Sequence, residues 1–206
     1  NVRLVLCIDA PNGEFGDMVR ATQWGGIDCR VYNSGLPATR LQAADRADMQ
    51  VSRQVEYRVC RLYNRAIREC ATEFMLFLED DVVPEMAPSR LIQELAAGFQ
   101  PNVAAVSGVY RSRYISSVVA WTGDTKSARH YVEAVSPERY SDITGCGFGC
   151  VLARTASLRK AVLSTDGSDW FDPLFWLRLV RLKESLQLAN RAHCTHVDAA
   201  AGDIRV

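Results

Sequence analysis

Three consecutive carboxylates, Glu79-Asp80-Asp81, follow the apolar run Phe74-Met75-Leu76-Phe77-Leu78. In an extended chain alternate side chains share a face, so Glu79 and Asp81 point together. Carboxylates this close repel one another unless a cation sits among them. Oxygen ligands of this kind suit Mg²⁺ or Mn²⁺, which in turn bridge phosphate oxygens. The competing reading is a solvated acidic turn. A second constellation is His193-Cys194-Thr195-His196-Val197-Asp198. If extended, it turns His193 and His196 to opposite sides, so one imidazole at most joins a shared metal. A histidine among carboxylates favours Mn²⁺ over Ca²⁺; the alternative is a surface or core histidine.

Asp169-Trp170-Phe171-Asp172-Pro173 places carboxylates beside aromatic rings, where a raised pKa would suit a general base. Asp172 is equally an N-cap for a helix opened by Pro173. Arg58, Arg61, Arg65 and Arg68 recur at helical spacing and could offer charge-assisted bonds to a diphosphate; such stripes are more often solvated helix faces. Gly145, Gly147 and Gly149 permit close backbone approach to a ligand or tight packing, but their spacing is not a dinucleotide fingerprint. Cys146 and Cys150, with Cys194 and a histidine, have poor spacing for zinc. No phosphate-binding loop of the Gly-x4-Gly-Lys type and no nucleophile elbow are present.

These residues need a scaffold, and the chain alternates strand and helix patterns to build one. Apolar runs at 2–8, 27–32, 74–78 and 103–109 read as strands, the 74–78 run being uniform enough to be central and covered on both faces. Val51, Val55, Val59, Leu62 and Ala66 form one apolar stripe of a helix over 51–71. Further helices are expected over 88–98, 155–163 and from Asp172-Pro173 to about Lys183. Shorter strands are expected at 115–121, 131–135, 186–190 and 193–198; 38–50 reads as a loop or lid. The fold class expected is α/β: a mainly parallel central sheet flanked by helices in a single domain over 1–206. Ligands in such sheets lie outside the carboxyl ends of the strands, where Glu79–Asp81 falls.

Composition agrees with a globular chain. It has 206 residues, 48% hydrophobic and 23% charged, with 24 basic and 24 acidic side chains. A net charge of zero argues against a bulk polyanion binder. Seven scattered cysteines read as reduced thiols. No apolar run nears the roughly 18 residues of a membrane span, and no basic-then-apolar leader opens the sequence, so a cytoplasmic protein is expected.

In order and spacing the motifs resemble the GT-A glycosyltransferases (Rossmann-like), close to the inverting family 2. Tyr63-Asn64-Arg65-Ala66-Ile67 followed by Phe74–Pro84 resembles the family's stretch ending in the Asp-x-Asp motif, here Glu79-Asp80-Asp81. Ile143–Arg154 resembles its glycine-rich segment, and Phe171–Leu179 the segment carrying the catalytic base. Three departures stand out. Glu79 replaces the first Asp, Tyr32-Asn33-Ser34 replaces the carboxylate that often binds uracil, and Tyr63 replaces the arginine before Asn64, a role Arg61 could take over.

The resemblance implies a nucleotide-sugar and metal-binding half over about 1–109 and an acceptor half over about 110–206. It implies a metal-dependent inverting hexosyltransferase that moves a sugar from a nucleotide-diphosphate sugar, a UDP-sugar being expected, to an acceptor hydroxyl. Mn²⁺ or Mg²⁺ would be held by Glu79, Asp81 and His196. Asp172 would be the base, with Asp169 the next candidate. Asp9, Asn33, Arg61, Asn64, Asp80 and Gly147 would line the donor. The acceptor would be a glycan or, against the neutral net charge, a modified nucleic-acid base, with Trp170, Tyr110, Tyr114 and Trp121 as stacking candidates. Two rivals stay open: a metal-dependent phosphohydrolase with Asp9 as nucleophile, and a binding module of this fold without activity.

Overall fold

The computed structural model describes residues 3–7, 17, 18, 21, 28–32, 49–112, 116–125, 127–166, 169–198 and 202–204. They divide into two compact units, Asn1–Cys70 with Leu163–Phe171, and Ala71–Val162 with Asp172–Val206.

In the first unit, strands β1 (Arg3–Cys7) and β2 (Asp28–Tyr32) pair in parallel, with Arg3 opposite Asp28 and Cys7 opposite Tyr32. Helix α1 (Met49–Glu69) buries the later part of the expected stripe, Leu62 and Ala66, together with Ile67, while Val55 and Val59 are half-buried and Arg61, Arg65 and Arg68 are exposed. Arg58 leaves the arginine face and is buried. The 163–171 segment is fastened to this helix. Asn64 Nδ2 donates to Leu163 O at 2.7 Å, and Leu163 N donates to Asn64 Oδ1 at 3.0 Å. Tyr63 meets Phe171 edge-to-face, with ring centroids 6.3 Å apart.

The second unit contains β3 (Phe74–Leu78), β4 (Val82–Pro84), α2 (Pro88–Ala96), β5 (Val103–Val109), β6 (Ala120–Thr122), β7 (His130–Tyr131), β8 (Tyr140–Ile143), β9 (Gly145–Cys146), β10 (Cys150–Arg154), α3 (Thr155–Leu158), β11 (Ser185–Asp198) and β12 (Gly202–Ile204). Helix α4 (Phe171–Arg181) also lies here, from Asp172 onward. The main sheet follows the path β12-β11-β5-β10-β3, with β4 and β8 also on β11.

This sheet is mixed, which overturns the expectation of a mainly parallel GT-A-type sheet flanked by helices. Its one parallel pairing among the described residues is β5 with β11. The pairs β3–β10, β5–β10, β4–β11, β8–β11 and β11–β12 are antiparallel. The cause lies between β5 and β10. A parallel return needs a long crossover, usually a helix. That stretch instead carries short strands, β6 to β9, and β10 comes back antiparallel beside β5. β3 also differs from expectation: it ends the path, and Leu78 is 48% exposed. The central strand is β5, buried at all seven positions.

The core joins Leu91 and Leu95 of α2 to Val103, Val106, Leu152, Ala192 and Cys194 of the sheet. Proline at the start of α2 fits its first turn, where a missing N–H costs nothing. Arg154 caps one side, its guanidinium 5.2 Å from the Phe74 ring and 5.0 Å from the Phe99 ring. β11 is one strand with an irregularity between Leu188 and His193, where the sequence suggested two pieces. No described helix is long and apolar enough to cross a membrane.

Candidate functional site

β3, β5 and β11 run in the same direction and β10 runs against them, so their functional ends meet at one edge of the sheet. Glu79-Asp80-Asp81 forms a tight turn there between β3 and β4, closed by Val82 N donating to Glu79 O at 3.1 Å. Glu79 N donates to Gly149 O at 3.0 Å, and Val197 N donates to Asp81 O at 2.7 Å. The acidic turn is thereby fixed on both sides.

Antiparallel pairing of β4 with β11 sets Val82 opposite His196 and brings His196 to Asp81. His196 Nε2 lies 3.7 Å from Asp81 Oδ1. On the other side of the ring, Nδ1–H donates to the Arg111 carbonyl at 2.8 Å. A carbonyl only accepts, so in the neutral imidazole the proton is on Nδ1 and Nε2 presents its lone pair. A lone pair facing a carboxylate oxygen requires either a proton on Nε2 or a cation between the two groups. A carbonyl behind a metal-ligating histidine is the usual way its tautomer is set. The pair suits both arrangements: an ion pair with a protonated imidazole, or two ligands of a cation. Among the described residues no group of three His, Cys, Asp or Glu could hold a metal. Two protein ligands, with water and phosphate oxygens completing the shell, is how Mg²⁺-type sites at diphosphates are built.

Tyr110, the residue after β5, occupies the centre. It is buried; its hydroxyl accepts the Gly149 N–H at 2.9 Å, and its ring meets His196 edge-on at 5.8 Å. A Cβ placed on Gly147 would lie 2.4 Å from the Tyr110 hydroxyl, and one on Gly149 would lie 2.8 Å from it. The alternate glycines of the turn make room for this phenol. Burial holds the phenol pKa well up, with further upward contributions from the Glu79 and Asp172 carboxylates. Glu79 and Asp172 thus act on the same group.

Asp172 stands in the first turn of α4, where the helix dipole favours a carboxylate. One turn on, Trp176 is fully buried; its indole N–H donates to Cys146 O and its ring stacks on Phe148 at 4.9 Å. That holds the helix against the glycine turn.

The structure brings Glu79, Asp81, Asp172 and His196 to one end of one unit, with Gly147 beside them. Gly147 packs against Tyr110 and Val119, which takes up the space its missing side chain leaves. Asp80 is exposed. Arg61, Asn64 and Asp169 belong to the other unit. There Arg61 is exposed, with Nη1 3.5 Å from the Tyr57 hydroxyl; Asn64 holds Leu163; and Asp169 Oδ1 accepts the Trp170 N–H at 3.0 Å. Asp9, Asn33 and Tyr114 lie outside the described residues. Of the stacking candidates, Tyr110 and Trp121 are buried and Trp170 is exposed. Tyr110 was legible only as an aromatic; its role at the glycines could be read only from their i, i+2 spacing.

No protein-family model matches the chain, and no curated protein matches it in sequence. The crystal structure of A197 from STIV is similar in fold, with a TM-score of 0.57 over 99% of this chain and 94% of that one, at 13% identity. UDP-glucose pyrophosphorylase from Acinetobacter baumanii aligns with a TM-score of 0.47 at 9% identity, over 91% of this chain and 62% of that one.

Proposed function

We propose that the chain is a metal-dependent transferase that moves a sugar from a nucleotide-diphosphate sugar to an acceptor hydroxyl with inversion. The observation that carries this reading is the Asp81–His196 pair, a carboxylate oxygen and His196 Nε2 held face to face at 3.7 Å. Asp81 and His196 would hold the divalent cation, Mn²⁺ or Mg²⁺, with Glu79 beside them. Bound there, it would supply positive charge to the departing nucleoside diphosphate. Asp172 would take the proton from the acceptor hydroxyl as its oxygen attacks the anomeric carbon and the bond to the diphosphate breaks. The helix dipole behind Asp172 and the clamp of Trp176 on Cys146 keep that carboxylate placed. The motif resemblance supports the donor class, and a UDP-sugar is the donor to try first.

The test is a thermal-shift titration with UDP, GDP and UDP-glucose, with and without Mn²⁺. A nucleotide that binds only the folded chain raises its Tm, and here only when Mn²⁺ is present. Asp81→Asn should abolish the Mn²⁺-dependent part of the shift. Asp172→Asn should keep it while lowering turnover by about 100-fold or more, the usual contribution of a general base. No metal-dependent shift with any of these nucleotides would sink the proposal.

A further inference from the structure

Tyr110 touches the glycine turn and His196 without belonging to any sequence motif. It leaves β5 at the end where β3 delivers Glu79, and its hydroxyl fills the space above Gly147 and Gly149. Through Gly149 it accepts one hydrogen bond, and Gly149 O in turn accepts the Glu79 N–H. The chain of contacts runs from phenol to glycine turn to acidic turn. Its ring also packs edge-on against His196. Among the described residues no acceptor takes the phenolic proton.

From this geometry we infer that Tyr110 is the positioning residue of the site: its hydroxyl anchors the 147–149 turn to the acidic end of β3. The inference rests on the transferase reading for its catalytic consequence, but the anchoring itself is measurable without activity. Phenylalanine preserves the ring and its packing while removing only the oxygen.

In Tyr110→Phe the Gly149 amide loses its acceptor. Hydrogen exchange followed by NMR should show Gly149 and Glu79 losing at least about tenfold of their protection, because local opening replaces a closed bond. Amides of β5 should keep theirs. With UDP-glucose and Mn²⁺, and water as acceptor, kcat should fall about tenfold to a hundredfold, the scale expected for a displaced catalytic group. KM and the Mn²⁺-dependent thermal shift with UDP should stay within twofold of wild type. A merely structural role would instead lower kcat in proportion to folded protein and reduce β5 protection as well.

Gly147→Ala supplies the second variant. Alone it sets a methyl 2.4 Å from the hydroxyl and should lower Tm. Combined with Tyr110→Phe it should recover part of that Tm without recovering kcat. Unchanged Gly149 exchange in Tyr110→Phe overturns the inference, as does a loosened turn with wild-type kcat. If wild type itself neither binds UDP with Mn²⁺ nor releases UDP from UDP-glucose, the transferase reading fails. In that case the exchange data still decide the anchoring.

Discussion

Glu56 is a buried carboxyl in the first unit, and its ionisation opposes folding. Burial raises its pKa, the hydrogen bond with Thr165 and the charge of Arg53 lower it, and the charge of Asp169 adds to the rise. The net direction is upward, so the folded chain binds the proton more tightly than the unfolded one. Stability from this group is fully present below the ordinary carboxylate pKa and is lost as pH rises through the raised value. Glu56→Gln keeps a side chain able to bond Thr165 and removes the charge. Its Tm should exceed that of wild type at pH 7, with the difference closing by pH 4. Equal Tm values at both pH values would show that the carboxyl ionises there at no cost. The same scale shows what a sequence displays of a site. Glu79–Asp81 stands out because charge follows an apolar run abruptly. His196 is visible because its type is rare in this chain. Tyr110 is not, because a tyrosine after a strand is ordinary, and what distinguishes it is two glycines nearly forty residues away in sequence.

Elements were more legible than their partners. The run 74–78 and the run 103–109 became strands over those residues, and the 51–71 stripe became a helix over 49–69, because local period reports which face is buried. β4, β8, β9, β10 and β12 were not foreseen; β4, β8, β9 and β12, with two to four residues each, owe their shape to β11 and β6, and the apolar run of β10 was read only as the sequel to the glycine-rich segment. Asn64 illustrates the gap between motif and contact. The motif resemblance gives it to the donor, whereas its amide satisfies both backbone groups of Leu163. Asn64→Ala should leave those groups without their partner and destabilise the chain by about 1–3 kcal/mol, the cost of an unmet buried polar group. Chemical denaturation measures it. Unchanged stability with a loss of UDP affinity would return Asn64 to the donor site.

At the scale of the whole sheet, alternation of strand and helix patterns suggested parallel neighbours, and the direction of a return is what such patterns do not encode. A strand pairs in parallel only if the chain first travels back along the sheet. Between β5 and β10 it does not, so β10 reverses and separates β3 from β5. The functional ends still converge, because β3, β5 and β11 keep one direction around the reversed strand. This arrangement makes a different strand central from the one apolarity suggested. β5 is bonded on both sides, to β10 and β11, whereas β3 is bonded within the sheet to β10 alone among the described residues. Amide exchange depends on opening both neighbours of a strand, so the slowest amides should lie in 103–109. Those of 74–78 should exchange earlier, and those of 82–84 and 202–204 earliest, since among the described residues these three-residue strands pair with β11 alone. Hydrogen–deuterium exchange with peptide resolution tests the order. A 74–78 peptide protected as long as 103–109 would place β3 in the interior, as a mainly parallel sheet would have it.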